Sequence, residues 1–263
     1  MHLISWNVRG ANGKKKQRVI REVRRKYQME MAFLQETKIK KLDDKVVESM
    51  WGRDKMGWYG SDAEGASGGL VTIWEPEFIQ PSRFERGRSF ALVHGKVVVN
   101  NQEISMNFLN VYAPKTEKEK MQLWEALVDL KVSFTGEWVV GGDFNAVLTE
   151  EERSRTTFSE RDANAFNDFI QAMEILDIPL IDRRFTWGNK NGASRLDRFL
   201  ISPGVLSAWP KVEQVGLEKG PSDHAVVALR EVEKSWGFKP FRILNAWLDQ
   251  PGLKGKIKEA WKS

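Results

Sequence analysis

Residues 137–145, E-W-V-V-G-G-D-F-N, decide the fold. Trp138, Val139 and Val140 are strand formers, and so short an apolar run suits a strand buried on both faces. Gly141 and Gly142 free the backbone and remove side chains, which predicts that the run stops there. Asp143 and Asn145 follow with one residue between them. Alternate residues of an extended segment point the same way, so a carboxylate and an amide are expected to project together from the strand end. Strand ends are where open sheets put their chemistry. G-D-x-N is equally good turn chemistry, so the reading depends on what else along the chain ends in the same way.

Several other strands do. Residues 3–6 read as a strand closing at Asn7-Val8-Arg9-Gly10. Residues 14–27 read as a helix with Val19, Ile20, Val23 and Tyr27 on one face. Eight of its residues are Lys or Arg, by default a solvated face. Residues 29–35 read as a second strand, ended by Glu36. If the two strands are parallel neighbours joined by the helix, Asn7 and Glu36 share a rim. Strands at 58–60 and 69–74 flank a Gly/Ser/Ala loop at 65–68, and 90–94 with 96–99 predict a hairpin turning at Gly95. A strand over 104–112 ends at Tyr112. A helix over 117–130 is expected to turn Met121, Trp124, Leu127 and Val128 inward.

Beyond the opening stretch, 149–158 is expected as a polar surface loop and 163–176 as an amphipathic helix. Residues 185–192 read as a hairpin with Asn and Gly at its tip. Residues 195–201 form a strand carrying Asp197, a carboxylate that needs a partner among apolar neighbours. Pro221-Ser-Asp-His224 precedes a last strand at 225–229. Strands with interspersed helices predict an α/β layered fold with a mixed sheet. Residues 1–230 read as the folded domain, and 231–263, Lys- and Trp-containing without further strands, as a C-terminal appendage.

The totals narrow the function classes. The 263 residues allow a sizeable core. A net charge of +5 suits a polyanionic partner such as nucleic acid. The absence of Cys favours a reducing, intracellular setting. No run approaches the ~20 apolar residues needed to span a bilayer, and Met1 leads straight into the first strand with no signal-peptide pattern. There is no P-loop, dinucleotide fingerprint, G-x-S-x-G or H-E-x-x-H. Three scattered His without Cys argue against structural zinc.

What remains is a set of polar residues at or beside strand ends: Asn7, Glu36, Tyr112, Asp143, Asn145, Asp197, Asp223 and His224. The mixture suits phosphoester hydrolysis. A carboxylate such as Glu36 can hold Mg2+, a hard ion preferring oxygen ligands, which neutralises phosphate charge and stabilises a leaving oxygen. A His beside a carboxylate can activate water or hold a phosphate oxygen. Amide and phenol donors can stabilise charge on a five-coordinate phosphorus.

Six segments in order, I-S-W-N at 4–7, F-L-Q-E at 33–36, N-V-Y-A-P at 110–114, G-D-F-N at 142–145, R-L-D at 195–197 and S-D-H at 222–224, resemble the endonuclease/exonuclease/phosphatase superfamily that includes DNase I. Within it, F-T-W-G-N…S-R-L-D-R-F-L-I-S-P at 185–203 and P-F-R-I-L-N-A-W-L-D at 240–249 look most like the endonuclease domain of plant LINE-type (non-LTR) retrotransposons. In such elements the latter run leads toward a reverse transcriptase, so the chain is expected to be an isolated or truncated endonuclease module.

The resemblance implies a four-layer α/β sandwich, two packed mixed sheets with helices outside. It implies a Mg2+-dependent (or Mn2+-dependent) endonuclease that nicks one DNA strand and leaves a 3′-hydroxyl, and a DNA substrate in turn predicts an intracellular, nuclear location. Glu36 becomes the principal metal ligand, with Asn7 beside it and Asp223 as a further ligand. Asp143 orients or deprotonates the attacking water, Asn145 and Tyr112 hold the phosphate, and His224, oriented by Asp197, contacts the phosphate or acts as base. The family leaves the choice of base between Asp143 and His224 open. Repair-type apurinic endonucleases carry an acidic residue two positions after the first Asn, where this chain has Arg9, a cation suited to touching a phosphate. The hairpin with Trp187 and Asn189, and Arg195 after it, are expected to meet DNA together with Arg9. Two alternatives stand beside this reading: a phosphomonoesterase or phosphodiesterase of the same superfamily, and an inert copy that binds nucleic acid.

Overall fold

Strand β1 (His2–Asn7) is buried along nearly its whole length, so both of its faces need cover, and that requirement organises the molecule. The structure is a computed structural model that describes residues 1–52, 55–64 and 67–232. After β1 come helix α1 (Lys14–Tyr27), β2 (Met31–Gln35), α2 (Asp44–Trp51), β3 (Gly57–Glu64), β4 (Ser67–Trp74), β5 (Gln80–Arg86), β6 (Phe90–Val99) and β7 (Gln102–Tyr112). The second half runs α3 (Glu117–Val132), β8 (Glu137–Asp143), a 3-10 turn (Glu150–Glu152), β9 (Arg153–Ser154), α4 (Glu160–Ala172), β10 (Leu176–Asp177) and β11 (Leu180–Ile181). It closes with β12 (Trp187–Asn189), β13 (Gly192–Ser194), β14 (Asp197–Ile201), α5 (Pro203–Ala208), β15 (Val212–Gly216) and β16 (Val227–Glu231).

These strands form a seven-stranded sheet in the order β11-β15-β16-β1-β2-β4-β3, a six-stranded sheet in the order β10-β14-β8-β7-β6-β5, and a small sheet β12-β13-β9. The pairs β1/β2 and β7/β8 are parallel, and most of the others are antiparallel. Alternation along each strand sends one set of side chains between the two large sheets and the other set under helices. Leu3, Met31, Phe33, Phe108, Val139, Phe199 and Val227 fill the space between the sheets. Ile4, Trp6, Leu34 and Ile73 pack under Ile20 of α1 and Val47, Met50 and Trp51 of α2. Leu109, Val140 and Leu200 pack under Leu123, Trp124 and Leu127 of α3 and Phe166 and Phe169 of α4. The result is the four-layer α/β sandwich, helices outside two packed mixed sheets.

Four readings of the sequence need correction. Gly141 and Gly142 do not end the strand, since β8 continues to Asp143. They are small because the neighbours are close: a Cβ on Gly141 would meet the Phe199 ring at 2.5 Å, and one on Gly142 the Val111 carbonyl oxygen at 1.9 Å. Gly95 is not a hairpin turn either. β6 runs straight through it, and a Cβ there would lie 2.3 Å from the Gln80 carbonyl oxygen of β5. The turn falls at Asn100 and Asn101, both with positive φ. In α3 the inward positions are Lys120, Leu123, Trp124 and Leu127, while Met121 is exposed. The segment after residue 149 is not simply a surface loop: the 3-10 turn delivers Glu152 to Arg195 and Arg198.

The basic face of α1 is partly consumed by the fold. Arg24 is buried and pairs with Glu75, Arg18 pairs with Glu22, and Lys26 with Glu218. Among the described residues no helix is long and apolar enough to cross a membrane. The appendage assigned to 231–263 lies, beyond Val232, outside the described residues.

Candidate active site

Register places the polar strand ends on one rim. Asn7 pairs with Gln35 across the parallel β1/β2 pair, so Glu36 follows directly beside it. Tyr112 pairs with Asp143 across the parallel β7/β8 pair. β14 runs antiparallel to β8 and opens with Asp197 opposite Asp143. β16 runs antiparallel to β1, with Val227 opposite Ser5, so the preceding Asp223 and His224 reach the same edge. Just below the rim, Gln35 Nε2 donates to Asn110 Oδ1 at 2.8 Å and Asn110 Nδ2 to the Val71 carbonyl at 3.2 Å. These buried bonds pin the two sheets together beneath the site.

One half of the rim is a buried carboxylate–imidazole group. Asp143 accepts from Asn7 Nδ2 at 2.8 Å and from the Asn145 backbone N–H at 3.0 Å. His224 Nδ1 lies 2.9 Å from Asp197 Oδ2, and its Nε2 lies 3.8 Å from Asp143 Oδ2. Asp197 is fully buried, and its backbone N–H donates to Thr186 Oγ1 at 2.9 Å. Burial raises the Asp143 pKa, opposed by the attraction of His224. Burial alone would lower His224, but Asp197 and Asp143 outweigh it and lift the imidazole to about 9.

The other half is built around Glu36, whose φ of 51° turns it out of the β2 line. Its carboxylate accepts from the Tyr112 hydroxyl at 3.2 Å and pairs with Lys38 at 3.0 Å. Arg9 Nε approaches the same carboxylate at 3.9 Å while its guanidinium pairs with Asp223. Trp187 Nε1 also donates to Asp223, at 2.9 Å. Burial acts to raise Glu36, yet Lys38 and Arg9 leave it below its ordinary value. Asp223 is likewise held low against burial by His224, Trp187 and Arg9. Burial, with Glu36 and Asp143 nearby, pushes the Tyr112 phenol up, so it stays a donor.

The donor chemistry at this second half fits a hard divalent cation. Glu36, Asp223 and Asn7 offer carboxylate and amide oxygens, and Asp223 Oδ1 is a buried oxygen with no hydrogen-bond partner among the described residues. Ligand atoms of Asp143, Asp197 and His224 also cluster, within 4.8 Å of one another. There Asp143 accepts from Asn7 and from the Asn145 backbone, and His224 Nδ1 is bonded to Asp197 while its Nε2 faces Asp143.

Two expected placements change. Asn145 does not project in parallel with Asp143: its φ is 47°, so the period-2 alternation ends there, and one of its amide hydrogens is committed to the Ala113 carbonyl at 2.8 Å. Arg195, expected at the DNA, is instead built into the fold, paired with Glu152 and Asp177 with its side chain only 12 % exposed. Arg9 and Trp187 do reach the rim. Asn189 sits exposed on the hairpin, its Oδ1 accepting from the Asn191 N–H. The β12–β13 hairpin is tied to the site by a bridge between Trp187 and His224 and by the Gly188 N–H donating to the Asp223 carbonyl. Lys38 and Lys120 are not singled out by the sequence reading. Lys120 had a signal, a Lys at the 120–123–124–127 spacing of the buried helix face.

Two packed mixed sheets between helices, with this rim, define a DNase I-like α/β sandwich. The chain belongs to the Endonuclease/Exonuclease/phosphatase family, whose signature matches residues 4–224. A Transposon TX1 uncharacterized 149 kDa protein of Xenopus laevis is 23% identical over 266 residues, covering 88% of this chain. The chain spans only 18% of the length of that relative. Among solved structures, a variant of the 3′ phosphatase NExo from Neisseria, bound to product DNA hairpin, superposes with a TM-score of 0.68 at 18% identity, covering 88% of this chain and 99% of that one. The endonuclease domain of TRAS1, a telomere-specific non-LTR retrotransposon, gives 0.65 at 12% identity, covering 87% and 96%.

Proposed function

We propose that the chain is a divalent-metal-dependent DNA endonuclease that nicks one strand of a duplex, leaving a 3′-hydroxyl and a 5′-phosphate. The observation that carries the reading is the pairing of the buried His224–Asp197–Asp143 group with the oxygen-rich Glu36–Asn7–Asp223 half on a single rim. When bound, the cation, Mg2+ on this reading, neutralises phosphate charge and stabilises the leaving oxygen. Glu36, Asn7 and Asp223 hold it.

The remaining roles follow from electrostatics. Water attacks phosphorus, the bond to the 3′ oxygen breaks, and the proton of the water passes to a base. With His224 lifted to about 9, its imidazole already carries a proton at neutral pH, which suits a cationic donor to a phosphate oxygen. Asp143, raised by burial, is a carboxylate primed to take a proton. We therefore assign Asp143 as the base and His224 as the phosphate contact, with Asp197 fixing the imidazole. The second amide hydrogen of Asn145 and the Tyr112 hydroxyl serve as further phosphate donors. Arg9, Trp187 and Asn189 line the approach for DNA.

The transposon relative supports placing the chain as the endonuclease module of a retrotransposon protein, in which the new 3′-hydroxyl primes a reverse transcriptase in the nucleus. The 3′ phosphatase among the structural neighbours favours one second reading, removal of a terminal phosphate. Supercoiled plasmid and a 3′-phosphorylated oligonucleotide, each with Mg2+ or with EDTA, separate the two. Mg2+-dependent open circles lost in D143A support the endonuclease, and inorganic phosphate release without nicking supports the phosphatase.

A further inference from the structure

Behind the rim, α3 carries a lysine where an apolar side chain would be the ordinary choice. Lys120 shares the buried face with Leu123, Trp124 and Leu127, and its side chain is 3 % exposed. Its ammonium pairs with Asp162, which sits in the first turn of α4 and is also buried. The same Nζ donates to the backbone carbonyl of Asn145 at 2.9 Å. Burying an ammonium is costly unless its hydrogen bonds are met, so the contact has a structural reason. It also has a consequence for the site.

Asn145 occupies the left-handed region with φ 47°, which Asn tolerates better than most residues, and three hydrogen bonds hold it there. Its backbone N–H donates to Asp143 Oδ1, its side-chain amide to the Ala113 carbonyl, and its carbonyl accepts from Lys120. The peptide groups on both sides of the Asn145 Cα are thus tied, one to the carboxylate and one to the lysine. We propose that Lys120 is a positioning residue: it holds the backbone of Asn145 in the left-handed turn that aims the Asn145 N–H at Asp143, with Asp162 compensating its charge. Lys120 touches neither substrate nor metal. The inference rests on the assignment of Asp143 and Asn145 to phosphodiester hydrolysis.

The test compares K120Q/D162N with K120M/D162N. Neither strands a buried charge; the first keeps an amide donor directed at the Asn145 carbonyl and the second has none. Two readouts are taken on each folded variant: hydrogen exchange of the Asn145 amide by NMR, and kcat and KM for plasmid nicking. K120Q/D162N is expected to stay within a few-fold of wild type in both. K120M/D162N is expected to exchange the Asn145 amide faster and to lose kcat by about 10- to 100-fold with little change in KM, the signature of a misplaced catalytic group. Equal kcat and equal Asn145 exchange in the two folded variants would overturn the proposal. If the wild type does not nick at all, it is the endonuclease reading that has failed, and the exchange measurement still decides whether Lys120 holds Asn145.

Discussion

His224 Nδ1 lies 2.9 Å from Asp197 Oδ2, joining the segment before β16 of one sheet to the first residue of β14 in the other. The bond closes the sandwich at its rim, and against burial the Asp197 carboxylate raises the imidazole above its ordinary pKa range. Asp197→Asn preserves shape and removes the charge. Nicking by D197N is expected to fall by about 100-fold or more, as when the partner orienting a catalytic His is neutralised. Steady-state nicking rates beside circular dichroism check this, and a folded D197N with wild-type rates would refute the assigned orientation.

Arg9 stands between the two carboxylates that would hold the cation, pairing with Asp223 and lying 3.9 Å from Glu36. Its charge opposes a divalent ion there. Because Arg9 is partly exposed and solvent weakens its pairs, R9A should tighten Mn2+ or Mg2+ binding by only about 2- to 5-fold. Calorimetric titration measures this without any turnover. Weaker metal binding in R9A would mean that Arg9 helps to build the cation site instead.

The network of Arg198 and Arg195 with Glu152 and Asp177 predicts an acid-sensitive contribution to stability. Burial works to raise Glu152, but Arg198 and Arg195 hold it below its ordinary value. A carboxylate depressed in the folded state adds stability above its unfolded pKa of roughly 4.3, and that stability is lost as pH falls through the folded value. R198M should cost about 3 kcal/mol at neutral pH by leaving half-buried carboxylates short of a partner. It should also flatten the decline below about pH 4, as read by urea unfolding across pH.

Gly142 lies against the β7 backbone, where a methyl group would sit 1.9 Å from the Val111 carbonyl oxygen. G142A should therefore destabilise the protein by about 3 kcal/mol or prevent its folding, since neither strand can give way without breaking the β7/β8 ladder. Thermal unfolding of the purified variant decides this. A wild-type midpoint would show that the two strands have room to separate.

The rim itself was legible in the sequence because strand ends announce themselves. Asn7, Glu36, Tyr112 and Asp143 each follow an apolar run, and a parallel pairing brings such ends together. The need of Asp197 for a partner was also legible in its apolar surroundings, while only the family resemblance pointed to His224, which lies 2.9 Å away. Less visible were features set by tertiary contact. Strand β5, Q-P-S-R-F-E-R, is an exposed edge whose polar residues and Pro carry no alternating apolar signal. Helix α2 is only eight residues long, although Asp43 caps it and Gly52 ends it. Gly95 and the Gly141-Gly142 pair read as breaks because sequence shows a missing side chain but not the backbone or ring that requires its absence. Arg195 reads as a DNA contact because nothing local reveals that Glu152, 43 residues away, would claim it.

Above all, the proposed function requires that this rim cut one strand of DNA with a divalent cation and leave a 3′-hydroxyl. The experiment that bears on it without intermediaries follows supercoiled plasmid treated with the purified protein and Mg2+, then offers the nicked product to a DNA polymerase with labelled nucleotides and no prior repair. Open circles that need Mg2+ and accept label at once are the expected result. No nicking by the folded protein, or nicks that a phosphatase must treat before extension, would refute the proposed function.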